Sequence, residues 1–414
     1  MKRDVDIPLY AEVGGGEKVL AGRLNVSISK ANKIRAKYYG TESKTVSFSG
    51  QWGSFDQEDN SAYASITTKK GEELDLRLKP DGVLEVLKLS GVANAFGEEF
   101  TGSQPIAADS AFQDYAGYYN VALPAILDDG ETAQSAGTGY LTLTMTSQSY
   151  IKTGKMKYSG VLGNGTSISG YAYLEPSEDP DVAYLPVFVR KSKDLFSAVL
   201  QLKSGAAINA FSVADLQSVH RAEGVAAMHR HIEDGFDYAV ECEAYGSYYE
   251  KNIKLTELCE VFALDPVGMI LSVDMSAVSS DGSSYGKVDF GGNAILDASQ
   301  NKFTLLNKSE TRVKSVSYSK STGIVSGSVK IAFESGKTAT GTFKGILQPG
   351  WFEDCGCGDV PEVPLVERPF ASGTLYYTDR ITTVVNGRTR TVNVKRSAPF
   401  MIEASDVTEG GEVE

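Results

Sequence analysis

The stretch Gly22-Arg23-Leu24-Asn25-Val26-Ser27-Ile28-Ser29 alternates apolar and polar residues at every second position. Leu24, Val26 and Ile28 fall on one side of an extended chain and Asn25, Ser27 and Ser29 on the other. That is the pattern of a strand with one buried face. The same texture returns at Gly139-Tyr140-Leu141-Thr142-Leu143-Thr144-Met145-Thr146, an offset of 117 from Gly22 to Gly139. Downstream, Lys37-Tyr38-Tyr39-Gly40 meets Lys157-Tyr158-Ser159-Gly160, and Ser47-Phe48-Ser49-Gly50 meets Ser167-Ile168-Ser169-Gly170, both at offset 120. Ala62-Tyr63 then meets Ala183-Tyr184 at 121, and Leu74 to Leu78 meets Ala198 to Leu202 at 124. An offset that grows slowly while the order is kept is what loop insertions in a duplicated β unit produce.

A third unit has the same texture with less literal matches. Val313 to Tyr318 reads as a strand, Ser319-Lys320-Ser321-Thr322-Gly323 as a turn, and Val329, Ile331 and Phe333 alternate before a second turn at Glu334 to Lys337. Thr338 to Leu347 returns as a strand. Asn386-Gly387, flanked by β-formers, signals a tight hairpin, because both central residues of that turn type need positive φ. Helical pattern is confined to Ser212–Val219 and Thr256–Leu264. Tyr115-Ala116-Gly117-Tyr118-Tyr119 and Tyr245-Gly246-Ser247-Tyr248-Tyr249 share a Tyr-x-x-Tyr-Tyr core and read as module starts. Their rings serve either as a stacking platform or as ordinary cross-strand packing.

Strands that bury one face need a partner surface, so the expected fold is all-β: tandem antiparallel β-barrel or β-sandwich modules with one or two short connecting helices. The expected division is module 1 over residues 1–105, module 2 over 106–212, a connector with a short helix over 213–266, module 3 over 267–404, and an acidic tail over 405–414. The 414 residues suit several domains rather than one. Gly (42 residues) and Tyr (21 of 40 aromatics) favour short strands and tight turns. A net charge of −13 disfavours nonspecific contact with nucleic acid phosphates or anionic lipid. No run of apolar residues is long enough for a membrane helix.

Chemistry-bearing residues are few. His220, His229 and His231 fall within twelve residues, and His-x-His on a strand would share a face, with His220 or Cys242 as further metal ligands. A polar surface connector explains the same stretch. Cys242 and Cys259 lie 17 apart and allow a disulfide, whereas Cys355-Gly356-Cys357 would be strained as a bridge and is equally open to free, metal-bound or otherwise paired thiols. Acidic clusters stand at Asp56, Glu58 and Asp59, at Glu178, Asp179 and Asp181, and at Glu353 and Asp354. The first two occupy matching places in the repeat, which argues for loop architecture rather than a unique catalytic centre. Lys69-Lys70, Glu72-Glu73, Lys191 and Lys193 read as solvated faces. No catalytic, cofactor-binding or metal residue is assigned, and no cofactor is expected.

Gly117-Tyr118-Tyr119-Asn120-Val121-Ala122-Leu123-Pro124, Gly137-Thr138-Gly139-Tyr140-Leu141-Thr142-Leu143-Thr144 and Gly160-Val161-Leu162-Gly163-Asn164-Gly165-Thr166-Ser167 resemble the repeated β modules of large bacterial secreted and cell-surface proteins. Leu141 stands where those modules carry Gly, and Gly163-Asn164-Gly165 where they carry Ala-Asp-Gly. The resemblance spans about residues 110–400 and implies an extracellular, non-enzymatic role with no site residues to carry over. The expected function is therefore a secreted or surface structural or adhesive protein with a glycan or surface protein as partner. The alternatives are a virion or phage-tail β protein and a polysaccharide-binding or polysaccharide-active protein. The N-terminus, Met1-Lys2-Arg3-Asp4-Val5-Asp6-Ile7-Pro8, has no apolar export segment behind it, which fits an intracellular or virion chain or a segment of a longer secreted one.

Overall fold

The structure is a computed structural model. It describes residues 3–13, 16–41, 44–94, 97–105, 112–123, 139–163, 165–191, 194–203, 219–222, 239–241, 245–254, 270–281, 284–297, 302–305, 312–333, 336–347, 370–385 and 388–405. The fold is all-β and barrel-like, as the alternation requires.

In the first body, β1 (Arg3–Val13), β2 (Glu17–Ile28), β3 (Lys33–Tyr39) and β4 (Val46–Gln51) form an antiparallel meander. A second meander runs through β5 (Ser54–Asp56), β6 (Ser61–Thr67), β7 (Glu73–Leu78), β8 (Val83–Ser90) and β9 (Glu99–Pro105). β9 returns to β1 at Thr101 and Tyr10, so one nine-stranded sheet curls about one core, with a seam between β4 and β5. Ile7 and Leu9, Leu24 and Val26, Tyr38, Phe48, Ile66, Leu76, Leu84 and Phe100 meet inside it. Burying each such side chain contributes about 1.5–3 kcal/mol, so closing the sheet on itself is the main stabilising term. The Pro80-Asp81-Gly82 turn works as its residues suggest: Gly82 takes φ +83° and the Asp81 carboxylate accepts from the Val83 N–H at 3.0 Å.

In the second body, β10 (Gly117–Leu123), β11 (Gly139–Met145), β12 (Lys155–Val161) and β13 (Ser167–Tyr173) pair in succession. The one-turn helix α1 (Gln148–Ile151) joins β11 to β12. A facing sheet holds β14 (Glu175–Pro176), β15 (Val182–Lys191), β16 (Asp194–Lys203), β17 (Val219–Ala222) and β18 (Ala239–Glu241). β19 (Tyr245–Tyr248) pairs with β10, and the two sheets share one core that includes Leu141, Leu143, Tyr158, Leu185, Phe196 and Leu200.

The stretches that align in sequence follow the same succession of pairings, and their registers differ only by even steps. Ala64 opposes Leu76 as Leu185 opposes Leu200, in identical register. Leu24 opposes Tyr38, whereas Leu143 rather than Leu141 opposes Tyr158, a slip of two residues beside the longer α1 loop. A slip of two keeps every side chain on its face, whereas a slip of one would turn the core outward.

The third body is one eight-stranded sheet. β20 (Ile270–Asp281), β21 (Ser284–Asp297) and β22 (Lys302–Leu305) precede β23 (Val313–Ser319), β24 (Ile324–Ala332), β25 (Thr338–Leu347), β26 (Ala371–Val385) and β27 (Arg388–Ser405). β27 pairs back on β20, leaving the seam between β22 and β23. Val385 opposes Arg388 across the hairpin expected at Asn386-Gly387. Inside, Arg396 Nε donates to Asp379 Oδ2 at 2.9 Å with side chains only 2% and 1% exposed.

Three expectations need correction. β17, β18 and β19 lie in the segment read as a connector, 213–266, and complete the second body's sheets. Strands of three or four residues carry too little alternation to be read. Tyr245 to Tyr249 does not open a module: β19 lies beside β10, with Tyr248 opposite Tyr119 and the two rings edge-on at 5.8 Å. The helix α1 lies outside the two stretches read as helical, Ser212–Val219 and Thr256–Leu264, and is nucleated by Ser147, whose hydroxyl accepts from the Tyr150 N–H. Residues 212–218 and 255–264 lie outside the described residues.

Adjoining bodies are fastened by specific contacts. A bulge between Leu9 and Tyr10 breaks the β1–β2 register. The Tyr10 hydroxyl donates to Glu175 Oε2 at 2.7 Å, and Leu20 packs with Phe188 and Leu195 beside it. Ser197 Oγ donates to the Leu20 carbonyl at 2.8 Å, and the Arg190 guanidinium donates to the Thr41 carbonyl. Burial pushes the Glu175 carboxyl up to about 7, against a smaller lowering by the Tyr10 hydroxyl, and burial with the adjacent carboxylate pushes the Tyr10 phenol up. Between the second and third bodies, the turn after β23 is gripped by tyrosines: Tyr249 Oη donates to the Lys320 carbonyl at 2.8 Å and Tyr118 Oη to that of Thr322 at 3.2 Å. Gly323 sits there at φ +67°, where a Cβ would come within 2.2 Å of Asn120 Nδ2.

Gly323→Val is expected to destabilise the docked third body by about 2–4 kcal/mol, read as a lowered calorimetric transition, because it adds both left-handed strain and a clash. An unchanged transition would refute the grip. Asp379→Ala should cost about 3–5 kcal/mol by removing the carboxylate that pairs with the buried Arg396 guanidinium, measured by urea unfolding. For Glu175 the folded value of about 7 lies above the ordinary value of 4.5, so the folded form holds the proton longer and stability falls as pH rises from 4.5 to about 7. The loss is about 3 kcal/mol. Glu175→Gln should flatten that part of the melting-temperature profile; parallel profiles for the two proteins would refute the assignment.

Candidate functional site

At the seam of the first sheet the chain leaves β4, crosses Trp52-Gly53 and begins pairing with β6 instead of β3. Two backbone bonds pin the crossing, from Trp52 N to the Asn32 carbonyl at 3.4 Å and from Gly53 N to the Tyr63 carbonyl at 2.9 Å. The break in pairing opens a hollow of about 640 Å³ lined by Ile28, Ser29, Lys30, Asn32, Trp52, Gly53, Ser54, Phe55, Ala62 and Leu78. Its floor is apolar, since Ile28, Trp52 and Leu78 pack on the first core. Its rim is polar. The β2–β3 turn supplies Ser29, Lys30 and Asn32, held by Asn32 at φ +55° and by the Ser29 hydroxyl accepting from the Lys33 N–H at 3.1 Å. Phe55 stands 62% exposed at the edge, more than any other large apolar side chain among the described residues.

Beside the hollow, the Asp59 carboxylate accepts from Tyr63 Oη at 2.6 Å and Arg77 Nη2 at 2.8 Å. The Tyr63 hydroxyl bond holds the Asp59 carboxyl below the usual range, and the same bond raises the Tyr63 phenol. This acidic residue, one of the cluster singled out from sequence, is thus spent on turn structure. Asp56 likewise accepts from the Glu58 N–H at 2.8 Å. The matching cluster in the second body repeats the device, with Asp179 accepting from the Asp181 N–H at 2.9 Å. Among the described residues no group of three or more His, Cys, Asp or Glu side chains is placed to hold a metal ion.

His220 lies in β17 with its backbone opposite Val240; His229, His231, all four cysteines, Glu353 and Asp354 lie outside the described residues. Of the surface charges, Lys191 Nζ donates to the Ser167 carbonyl at 2.6 Å, Glu73 pairs with Lys88 at 3.3 Å, and Glu72 is buried against the Thr68 hydroxyl. Sequence reasoning passed over Trp52 and Phe55. The available signal was a pair of aromatics just where the Ser47 to Gly50 alternation stops.

No protein-family model matches the chain, and no curated protein matches it. Two solved structures align along nearly all of it at 8% identity. One is a crystal structure of CghA, covering 99% of this chain and 89% of that one with a TM-score of 0.14. The other is a crystal structure of a triple arginine-to-alanine mutant of AofleA from Arthrobotrys oligospora, covering 97% and 94% with a TM-score of 0.13. Scores of that size carry no argument about fold or role.

Proposed function

We propose that this chain is a non-catalytic structural or adhesive protein of the cell surface or secreted fraction, built by duplication of an all-strand unit, with a glycan as its partner. The Trp52–Phe55 hollow carries the reading. A pyranose ring has C–H faces that pack on aromatic rings and a hydroxyl rim that needs hydrogen-bonding partners. The hollow offers that combination, an indole and a phenyl ring ringed by Ser29, Asn32, Ser54 and Lys30. The resemblance of residues 110–400 to bacterial surface modules supports the same class. So do the fasteners between bodies, which suit a protein that presents a binding face rather than one that closes over a substrate.

A glycan array followed by titration calorimetry tests it. Trp52→Ala and Phe55→Ala should each weaken the array hit by about tenfold or more. Phe55 is the cleaner probe, since so exposed a ring contributes little to folding and its variant should melt like the parent. Absence of binding to any glycan, or full binding by both variants, would overturn the proposal.

A further inference from the structure

On the outer face of the second body, far in sequence from the first hollow, three tyrosines surround one ammonium. Lys155 Nζ lies 4.4 Å from the ring centre of Tyr171, 5.5 Å from Tyr150 and 5.7 Å from Tyr173. The Tyr150 and Tyr171 rings stand nearly perpendicular, 83° apart at 5.8 Å, so they form two walls rather than a stack. The placement follows from the fold. Lys155 opposes Tyr173 in the β12–β13 pair, Tyr171 lies two residues back on the same face, and α1 brings Tyr150 over them. Ser147 caps α1 and so fixes that third wall.

The occupant fits the cage imperfectly. A primary ammonium carries three N–H donors, and ring faces offer it no lone pairs. Lys155 is in none of the ion pairs among the described residues, although the Asp6 and Asp4 carboxylates are near enough to add to the effect of burial in raising the Tyr173 phenol. A trimethylammonium has no N–H to satisfy, a larger apolar surface and the same positive charge, which is what several aromatic faces recognise best. Two residues along the same outward face stands Lys157, exposed and opposite Tyr171. If the flexible Lys155 stem swings out of the cage, both ammoniums lie beside it, ready for an anion one bond chain away from the quaternary nitrogen.

We propose that Tyr150, Tyr171 and Tyr173 form a binding site for a phosphocholine group. The trimethylammonium would occupy the cage, Lys155 would act as an internal competitor that leaves it, and Lys155 with Lys157 would hold the phosphate. The site is independent of the Trp52 hollow.

Saturation-transfer NMR on the full chain, observing the N-methyl protons of phosphocholine, tests it. The parent should show transfer, and Tyr171→Ala should weaken binding about tenfold. Lys155→Ala should strengthen the binding of choline itself, which lacks the phosphate, while Lys157→Ala should weaken phosphocholine and leave choline unchanged. The isostere with carbon in place of the quaternary nitrogen should bind about tenfold more weakly than phosphocholine. Free phosphocholine against phosphatidylcholine vesicles separates a soluble or polymer-borne group from a lipid headgroup. Tyr171 is partly exposed, so its variant should keep the parent's melting temperature; Tyr171→Phe, which keeps the ring, should keep binding. Silence from both the parent and Lys155→Ala, equal binding of the uncharged isostere, or undiminished binding by Tyr171→Ala would overturn the proposal.

Discussion

Most of the described strands turn one apolar face to a core, and the rest of the architecture answers to that. A one-faced ribbon cannot lie open in water, and short turns forbid it the helical cover of a parallel sheet. The remaining solution is for a sheet to cover itself. The first and third bodies do so by curling until the last strand meets the first, and the second by facing two five-stranded sheets across a shared core. In all three the last strand pairs back on the first, and the break falls in the middle of the meander.

The break is where the molecule becomes chemically interesting. A seam leaves edge groups unpaired and interrupts the outer surface, and natural sheets blunt such edges with turns, charges or covering side chains. In the first body the crossing is held by two backbone bonds and leaves an aromatic hollow. In the second, the corresponding stretch runs on through Tyr171-Ala172-Tyr173 and forms two walls of the Lys155 cage. The end of the first run of strands thus carries aromatic rings in both bodies, in two different ways.

The contacts between bodies use the same outward faces. Tyr10 and Leu20 face β14 to β16, Tyr118 and Tyr249 grip the turn after β23, and Asn120 Nδ2 donates to the Leu347 carbonyl at the end of β25. Tyrosine suits this work because its ring packs as an apolar body while its hydroxyl reaches a backbone carbonyl of the turn. The Tyr-x-x-Tyr-Tyr segments therefore serve as core and cross-strand packing, Tyr119 lying opposite Tyr248, and fasten the bodies as well. Their rings pack on one another, and two of their hydroxyls fasten the third body.

Read alone, the sequence determined the one-faced strands, the all-β class, the aligned strands of the first two bodies, the Asn386-Gly387 hairpin and the structural use of the acidic turns. Each of these is written in local period or turn chemistry, which acts over a few residues and needs no partner to be recognised. The tertiary structure alone decided that Tyr245 to Tyr248 lies beside Gly117 to Leu123, that Tyr10 finds Glu175 across 165 positions, and that Trp52 and Phe55 flank a hollow while Lys155 falls among three rings. Those juxtapositions depend on how far each sheet curls and where its meander breaks. Both are set by the summed packing of many strands, and no single stretch of residues encodes that sum.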